Sequence, residues 1–233
     1  MGDKARLGTE ERKALHGADY AERFEYAHPI ERITRLVPLM SLSGNEKLVD
    51  IGCGNALSMT AMKSHYEAYT GVDFSMPFIK AARSRAQSHG ILNAEFYCGS
   101  AEDFAVDNAD RFDVALALDI SEHVYDDEWL GISLAIRRML LPGGRLFLHT
   151  PNLEFFVERM KDKNFLLKQF PEHIAVRSMQ GNIRILRNAG FKIRHAQNLP
   201  HYNWLSVLHP LSQLPGLGRY FGARLFIEAV KAD

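Results

Sequence analysis

Short apolar runs alternate with longer amphipathic stretches along most of the chain. The runs are rich in Val, Ile, Leu and Ala and are bounded by Gly, Pro, Asn or Asp, which is typical of buried strands. Seven strands are predicted in this way: Leu48–Ile51, Ala68–Val72, Ala94–Cys98, Phe112–Leu118, Arg145–His149, Phe191–His195 and Arg224–Val230. Because helices of ordinary length separate the first five strands, the pattern predicts a parallel sheet with helices on both faces.

The regularity of this pattern divides the chain into four parts. Residues 46–150 carry the regular alternation and are predicted to be a cofactor-binding core. Residues 1–45 predict a helical N-terminal flap, and residues 151–178 mix aromatic and charged side chains, as expected of a lid insert. Residues 179–233 would form the substrate-side half. The length favours a single α/β domain over 1–233.

Composition and charge exclude several classes of protein. Lys plus Arg equals Asp plus Glu at 28 each, so no overall positive field attracts nucleic acid. Cys53 and Cys98 are the only cysteines, too few for a disulfide scaffold or a thiolate metal site. No apolar run reaches the roughly 18 residues of a membrane span, and the charged N-terminus is unlike a signal peptide. These features predict a cytoplasmic protein.

The stretch from Leu48 to Ala56 has the pattern of a nucleotide-binding turn. A buried strand runs into Gly52 and Gly54, and a helix follows. Glycines allow close backbone approach, and a helix N-terminus presents N–H groups to a ligand. Asp73, at the end of the second strand, stands where a carboxylate accepts ribose hydroxyls in doubly wound folds. A nicotinamide dinucleotide stays open at this point, although Ala56 replaces the third glycine of its fingerprint.

Five motifs in a fixed order narrow the choice of cofactor. They read Val-Asp-Ile-Gly-Cys-Gly, Gly-Val-Asp-Phe-Ser, Gly-Ser-Ala-Glu-Asp-Phe, Phe-Asp-Val-Ala-Leu-Ala-Leu-Asp-Ile-Ser-Glu-His-Val and Leu-Pro-Gly-Gly-Arg-Leu. Over about residues 45–195 the chain resembles a class I S-adenosylmethionine-dependent methyltransferase. Dehydrogenases share only the first two motifs. The resemblance implies a doubly wound, Rossmann-like, seven-stranded and mostly parallel sheet whose last strand is antiparallel.

The resemblance also implies S-adenosylmethionine as cofactor, S-adenosylhomocysteine as product, and a set of binding residues. These are Asp50, Gly52, Cys53, Gly54, Asp73, Phe74, Ser100, Ala101, Glu102, Asp119 and Ile120. Asp73 would hold the ribose and Phe74 would lie against the adenine. Ser100 departs from the family, because many members have an acidic residue there that bonds the adenine amine. Either Glu102 or a backbone carbonyl replaces that contact, or cofactor affinity is lower.

The segment from Asp119 to Val124, followed by Thr150-Pro151-Asn152, resembles the branch of ubiquinone-biosynthesis O-methyltransferases and natural-product enzymes. Some quinone members bind a divalent cation through an acid-x-x-Glu-His arrangement, which Asp119, Glu122 and His123 reproduce. The same pattern occurs in relatives without a metal, where it shapes the cofactor pocket. We therefore expect no metal and keep these three residues as the alternative set.

Methyl transfer needs in-line positioning and, for a protonated acceptor atom, a base. His123, His149 and His173 lie near predicted strand ends or at the lid, and an imidazole can accept a phenol or ammonium proton. Each could instead be a structural histidine. His123 is the first choice because the adjacent Glu122 could orient it.

The sequence gives a less specific signal for the acceptor than for the cofactor. The aromatic insert at 153–170 and the apolar stretch at 199–218 either indicate a hydrophobic or aromatic acceptor or only cover the sheet edge. Peripheral membrane contact is open as well, through Tyr202, Trp204, Leu205 and Leu208. The predicted function is methyl transfer to a small molecule, most readily at oxygen. N- or C-methylation and cofactor binding without transfer are the alternatives. No motif in the sequence identifies the acceptor or the oligomeric state.

Overall fold

The computed structural model describes Arg6, Glu11, residues 30–162, Lys168, Phe170, 173–202 and 204–232. Its centre is a seven-stranded sheet in the order β3-β2-β1-β4-β5-β7-β6. The strands are β1 Lys47–Ile51, β2 Ala68–Asp73, β3 Ala94–Cys98, β4 Phe112–Leu118, β5 Leu140–Pro151, β6 Phe191–Leu199 and β7 Arg224–Lys231. The first five strands pair in parallel, and β7 runs antiparallel to both β5 and β6. The predicted fold class, including the antiparallel last strand, is confirmed.

Helices flank this sheet. They are α1 Glu31–Thr34, α2 Val37–Met40, α3 Leu57–Ala61, α4 Met76–Ser88, α5 Ala101–Val106, α6 Asp126–Met139, α7 Phe156–Asp162 and α8 Met179–Asn188, with 3-10 segments at Ser121–His123, Trp204–Gln213 and Gly218–Tyr220. Hydroxyl side chains begin two of these helices, since Ser100 accepts from Asp103 N at 3.0 Å and Ser178 accepts from Gly181 N at 3.2 Å.

Two details refine the sequence prediction. Residues 30–40, within the predicted helical flap, form the separate helices α1 and α2, because Pro38 has no N–H to continue the helical ladder. β5 begins at Leu140, five residues before the predicted Arg145, and includes Pro142-Gly143-Gly144. Phe112 pairs with Leu140 and Val114 with Arg145, so residues 141–144 bulge out of the pairing with β4, and Gly143 has a φ of +75°.

The sheet is buried on both faces. Val49 and Ile51 of β1 pack into a cluster with Trp129 and Ile136 of α6, and Leu48 packs into the opposite cluster with Met59 of α3. Strand residues alternate between the two faces, so each core receives every second side chain. Because both faces are buried, the strands are held in register and their carboxyl ends lie along one edge of the sheet.

The four-part division of the chain stays a prediction. Most of the 1–45 flap lies outside the described residues, as does part of the 151–178 lid. Arg177, near the end of the lid, is 6% exposed and donates to Val124 O and Asp126 Oδ1 at 2.7 Å each. The described helices include none with the length and apolar character to cross a membrane.

Candidate cofactor and acceptor site

A pocket of about 340 Å³ opens at the carboxyl ends of β1, β2 and β4. This is the edge at which doubly wound sheets bind ligands. All eleven residues predicted to bind the cofactor line it: Asp50, Gly52, Cys53, Gly54, Asp73, Phe74, Ser100, Ala101, Glu102, Asp119 and Ile120. The chain thus brings residues from four separate loops to one cavity, while their individual roles stay predictions.

The turn after β1 is shaped by backbone conformations that favour glycine. Gly52 has a φ of +71° and Gly54 a φ of +54°, both in the left-handed region. A Cβ atom on Gly52 would lie 2.8 Å from Ile120 Cδ1, on the loop after β4. The missing side chain at Gly52 therefore lets Ile120 pack against the turn and brings the two loops together.

Asp73 is held in place by that turn. Gly54 N donates to Asp73 Oδ2 at 2.9 Å, and Ser75 N donates to Asp73 Oδ1 at 2.8 Å. The residue is 8% exposed and lines the pocket. A carboxylate fixed by two backbone donors keeps lone pairs on both oxygens, which suits it to accept two neighbouring hydroxyls.

Asp50 also lines the pocket, but its carboxylate bonds inward. Its Oδ2 accepts from the Tyr69 hydroxyl at 2.7 Å and from the Ser58 hydroxyl. Burial raises the pKa of Asp50 to about 6, although the two hydrogen bonds oppose that shift. Asp50 thus connects β1 to α3 and β2 and stabilises the turn after β1.

At the other end of the pocket, Ser100 has a structural task. Its Oγ caps α5, so the residue that departs from the family pattern is used for the helix start. Glu102 is exposed and lines the pocket. Its Oε1 lies near α6, where a Cβ atom on Gly131 would be 3.1 Å away. Glu102 is therefore the carboxylate at this end of the pocket.

A buried ionic cluster lies at the end of β4. Asp119 has a φ of +59°, and its Oδ2 lies 2.7 Å from Arg32 Nη2. Its Oδ1 pairs with Arg224 Nη2. Burial, followed by the charge of Arg32, lowers the pKa of Arg224. Sequence reasoning missed both arginines, and the only available signal was an aspartate at the end of a buried strand.

Arg32 is the arginine of this cluster that lines the pocket, as Asp119 does. Arg224 does not line it, and the Arg32 side chain, on α1, is 11% exposed. A guanidinium group in that position can bind an anionic part of a ligand with paired hydrogen bonds.

His149 belongs to the interior of the cluster. It is fully buried, its Nδ1 lies 3.2 Å from Asp119 Oδ1, and its Nε2 lies 2.9 Å from the Tyr202 hydroxyl. Burial, followed by the charge of Arg32, lowers the pKa of His149 to about 3. His149 lies outside the pocket lining and is a weak base, which favours the structural alternative for this histidine.

The other two candidate bases lie together. The rings of His123 and His173 meet edge to face with centroids 5.1 Å apart, and His123 lines the pocket. Glu122 is 1% exposed and accepts from Thr150 Oγ1 at 3.0 Å. Burial raises the pKa of Glu122 to about 7.

Glu122, His123 and His173 place ligand-type atoms within 4.8 Å of one another, so they could hold a divalent cation. This group differs from the predicted alternative set, because Asp119 is engaged with the two arginines instead.

Aromatic residues from the lid and the C-terminal half meet one another. The ring centroids of Phe155 and Phe156 lie 4.8 Å apart, His201 stacks on Phe155 at 6.2 Å, and Phe221 lies 6.2 Å from Phe156. The two apolar regions noted in the sequence therefore meet in one aromatic surface, in which Phe155 is buried and the other three rings are half-buried. The side chain of Trp204 lies outside the described residues.

Comparison with known proteins agrees with this geometry. A family model described as a methyltransferase domain matches residues 42–202. Ubiquinone biosynthesis O-methyltransferase from Pseudomonas syringae pv. tomato is 30% identical over 152 residues, which are 64% of this chain and 64% of that protein. The Aromatoleum aromaticum protein of the same name is 25% identical over 193 residues, covering 80% of this chain and 78% of its own length.

A solved structure has the same architecture. It is a methyltransferase from Thermotoga maritima that superposes with a TM-score of 0.67 at 24% identity, covering 92% of this chain and 97% of its own. At this identity the likeness concerns the fold alone.

Proposed function

The chain belongs to the class I S-adenosylmethionine-dependent methyltransferases, and from this premise we propose that it methylates an oxygen atom of a small hydrophobic or aromatic molecule. The observation that carries the proposal is the position of His123, which lines the cofactor pocket and lies against His173 and the buried Glu122. The relatives named as ubiquinone biosynthesis O-methyltransferases support an oxygen acceptor and a quinone-like ring.

The pocket residues fit the two polar ends of the cofactor. Asp73, with two backbone N–H groups on its carboxylate, would accept the ribose hydroxyls. Arg32 would bind the methionine carboxylate, which supplies the negative charge that the Arg32–Asp119–Arg224 cluster lacks. The methionine tail would lie in the pocket beside the loops after β1 and β4, which Gly52 and Ile120 line.

When bound, the cofactor supplies a methyl group on a sulfonium, which is a good leaving group. The protein's task is then to align the acceptor oxygen with that methyl group and to exclude water. His123 is the proposed proton acceptor, since it faces the pocket beside Glu122. His173 would orient the His123 ring, and His149 is assigned a structural role because its pKa is about 3.

The aromatic surface formed by Phe155, Phe156, His201 and Phe221 would receive the acceptor. Its rings have no charge to compete for a polar headgroup, so shape and apolar contact would select the ligand. The even charge of the chain gives no support to a nucleic-acid acceptor.

Radiolabelled methyl transfer from S-adenosylmethionine to a panel of phenols, catechols, amines and carbon nucleophiles tests the proposal. We expect labelled product from phenols or catechols. Transfer to amines or carbon acceptors alone would contradict oxygen methylation. Binding of S-adenosylhomocysteine by calorimetry without transfer to any acceptor would instead favour a protein that only holds the cofactor.

A further inference from the structure

The segment from Leu199 to Gly218 has no Asp, Glu, Lys or Arg among its residues. Most of it forms the 3-10 segment Trp204–Gln213 and the turn after it. Four of its aliphatic side chains are solvent-exposed, by 70%, 37%, 46% and 59% in chain order: Val207, Leu211, Leu214 and Leu217. Val207 and Leu211 lie in the 3-10 segment, and Leu214 and Leu217 follow it in the next bend and turn. We call these four residues the apolar ridge.

Cationic and aromatic side chains border the ridge. The guanidinium groups of Arg159 and Arg219 lie 5.2 and 4.9 Å from the centroid of the Tyr220 ring. The Arg219 side chain is 58% exposed, and the acidic group facing it is Glu154 at 3.9 Å. A tyrosine with arginines around it is a combination favoured at the boundary between water and lipid. The border is therefore suited to a negatively charged surface.

We propose that the apolar ridge and its border of Arg159, Arg219 and Tyr220 rest on a membrane surface that contains anionic lipids. An uncharged segment with protruding aliphatic side chains gains by entering the headgroup region, and neighbouring arginines add attraction to lipid phosphates.

The fold connects this surface to the reaction site. Tyr202, just before the ridge, lies with its hydroxyl 2.9 Å from His149 Nε2 at the end of β5. The same segment contributes His201 to the aromatic surface proposed to receive the acceptor. An enzyme resting on this face would have its acceptor side next to the bilayer, where hydrophobic acceptors collect. The membrane contact itself is independent of the acceptor's identity.

Sedimentation with lipid vesicles tests the proposal without any acceptor. The full chain should bind vesicles made of equal parts phosphatidylglycerol and phosphatidylcholine, and high salt should weaken that binding. Binding to phosphatidylcholine alone should be weaker, because the arginines lack anionic headgroups. Absence of binding to the mixed vesicles would overturn the proposal.

A matched pair of double variants identifies the surface. Val207→Glu with Leu217→Glu should lower the bound fraction about tenfold, because two charges replace apolar contacts. Val106→Glu with Leu92→Glu adds the same charges at a valine 56% exposed and a leucine 97% exposed, away from the ridge, and should leave binding largely unchanged. Arg159→Gln with Arg219→Gln should reduce binding to the anionic vesicles and reduce its salt dependence.

Calorimetry with S-adenosylhomocysteine reports whether each variant is folded, and all of them should bind it like the wild type. Equal losses of vesicle binding in the two Glu pairs would refute the assignment. A wild-type dimer that Val207→Glu with Leu217→Glu dissociates, with no vesicle binding, would show that the ridge joins two copies of the chain instead.

Discussion

Replacing Arg32 with glutamine removes the cation that lines the pocket and leaves its partners in place. Asp119 keeps its ion pair with Arg224, and glutamine retains part of the buried Arg32 side chain. Arg35, which lies one helical turn away, is exposed and lies outside the pocket lining. Arg35→Gln is therefore a matched control that removes the same charge at nearly the same position.

The size of the effect follows from the proposed bond between Arg32 and the methionine carboxylate. A hydrogen bond to a charged partner contributes about 1.5–3 kcal/mol. Since about 1.4 kcal/mol is tenfold in Kd, Arg32→Gln should weaken S-adenosylhomocysteine binding about ten- to hundredfold. The free energy of unfolding should fall far less than in a variant that breaks the Asp119–Arg224 pair, because Asp119 is still compensated.

Calorimetry with two ligands separates the proposed contact from a packing effect. S-adenosylhomocysteine carries the carboxylate, whereas methylthioadenosine has the nucleoside and sulfur without it. Arg32→Gln should weaken only the first, and Arg35→Gln should weaken neither. Equal weakening of both ligands would refute the reasoning, because it would mean that Arg32 supports the shape of the pocket and not the anion.

Further predictions concern the other polar groups of the site. Asp73→Asn should weaken S-adenosylhomocysteine and methylthioadenosine alike, since both carry the ribose that Asp73 would accept; an unchanged Kd for either would contradict this role. His123→Ala should lower turnover with oxygen acceptors and change its pH profile while cofactor affinity holds; wild-type turnover at every pH would remove His123 as the base. Chelators should leave turnover unchanged, because burial raises the pKa of Glu122 to about 7 and its protonated form is a poor metal ligand; a loss that one added metal restores would assign the Glu122 group to a cation. Asp50, whose pKa burial raises to about 6, should make the wild type less stable as pH rises from about 4 to about 6, since the folded state holds the proton more tightly. Relative to the wild type, Asp50→Asn should therefore gain about 3 kcal/mol of unfolding free energy over that range, measured by urea denaturation; a constant difference would contradict the raised pKa.

Local patterns were enough to select residues that line the pocket, because each of these signals is local. Strand ends, the glycine turn and Asp73 are each recognisable within a few residues, and the parallel sheet then brings them to one edge. Ion pairs across long separations carry no such signal. Asp119 and Arg224 are 105 positions apart, so nothing in the periodicity of either segment indicates that they meet. His149 resembled the other strand-end histidines in sequence, and only its complete burial distinguishes it.

Asp119 explains why these distant parts have to meet. Its φ of +59° is unusual for a residue with a side chain and costs about 1 kcal/mol or more, so its surroundings must hold it there. Arg32 and Arg224 do so from opposite ends of the chain, but with His149 neutral they leave more positive charge than Asp119 offsets. Glu122, with a pKa of about 7, compensates that charge only in part near neutral pH. A ligand carboxylate at Arg32 would relieve the remaining repulsion, so cofactor binding should stabilise the contacts between the N-terminal helix, the sheet and the last strand together. Asp119, which lines the proposed cofactor pocket, thus also connects α1 with β7, which lie near opposite ends of the chain.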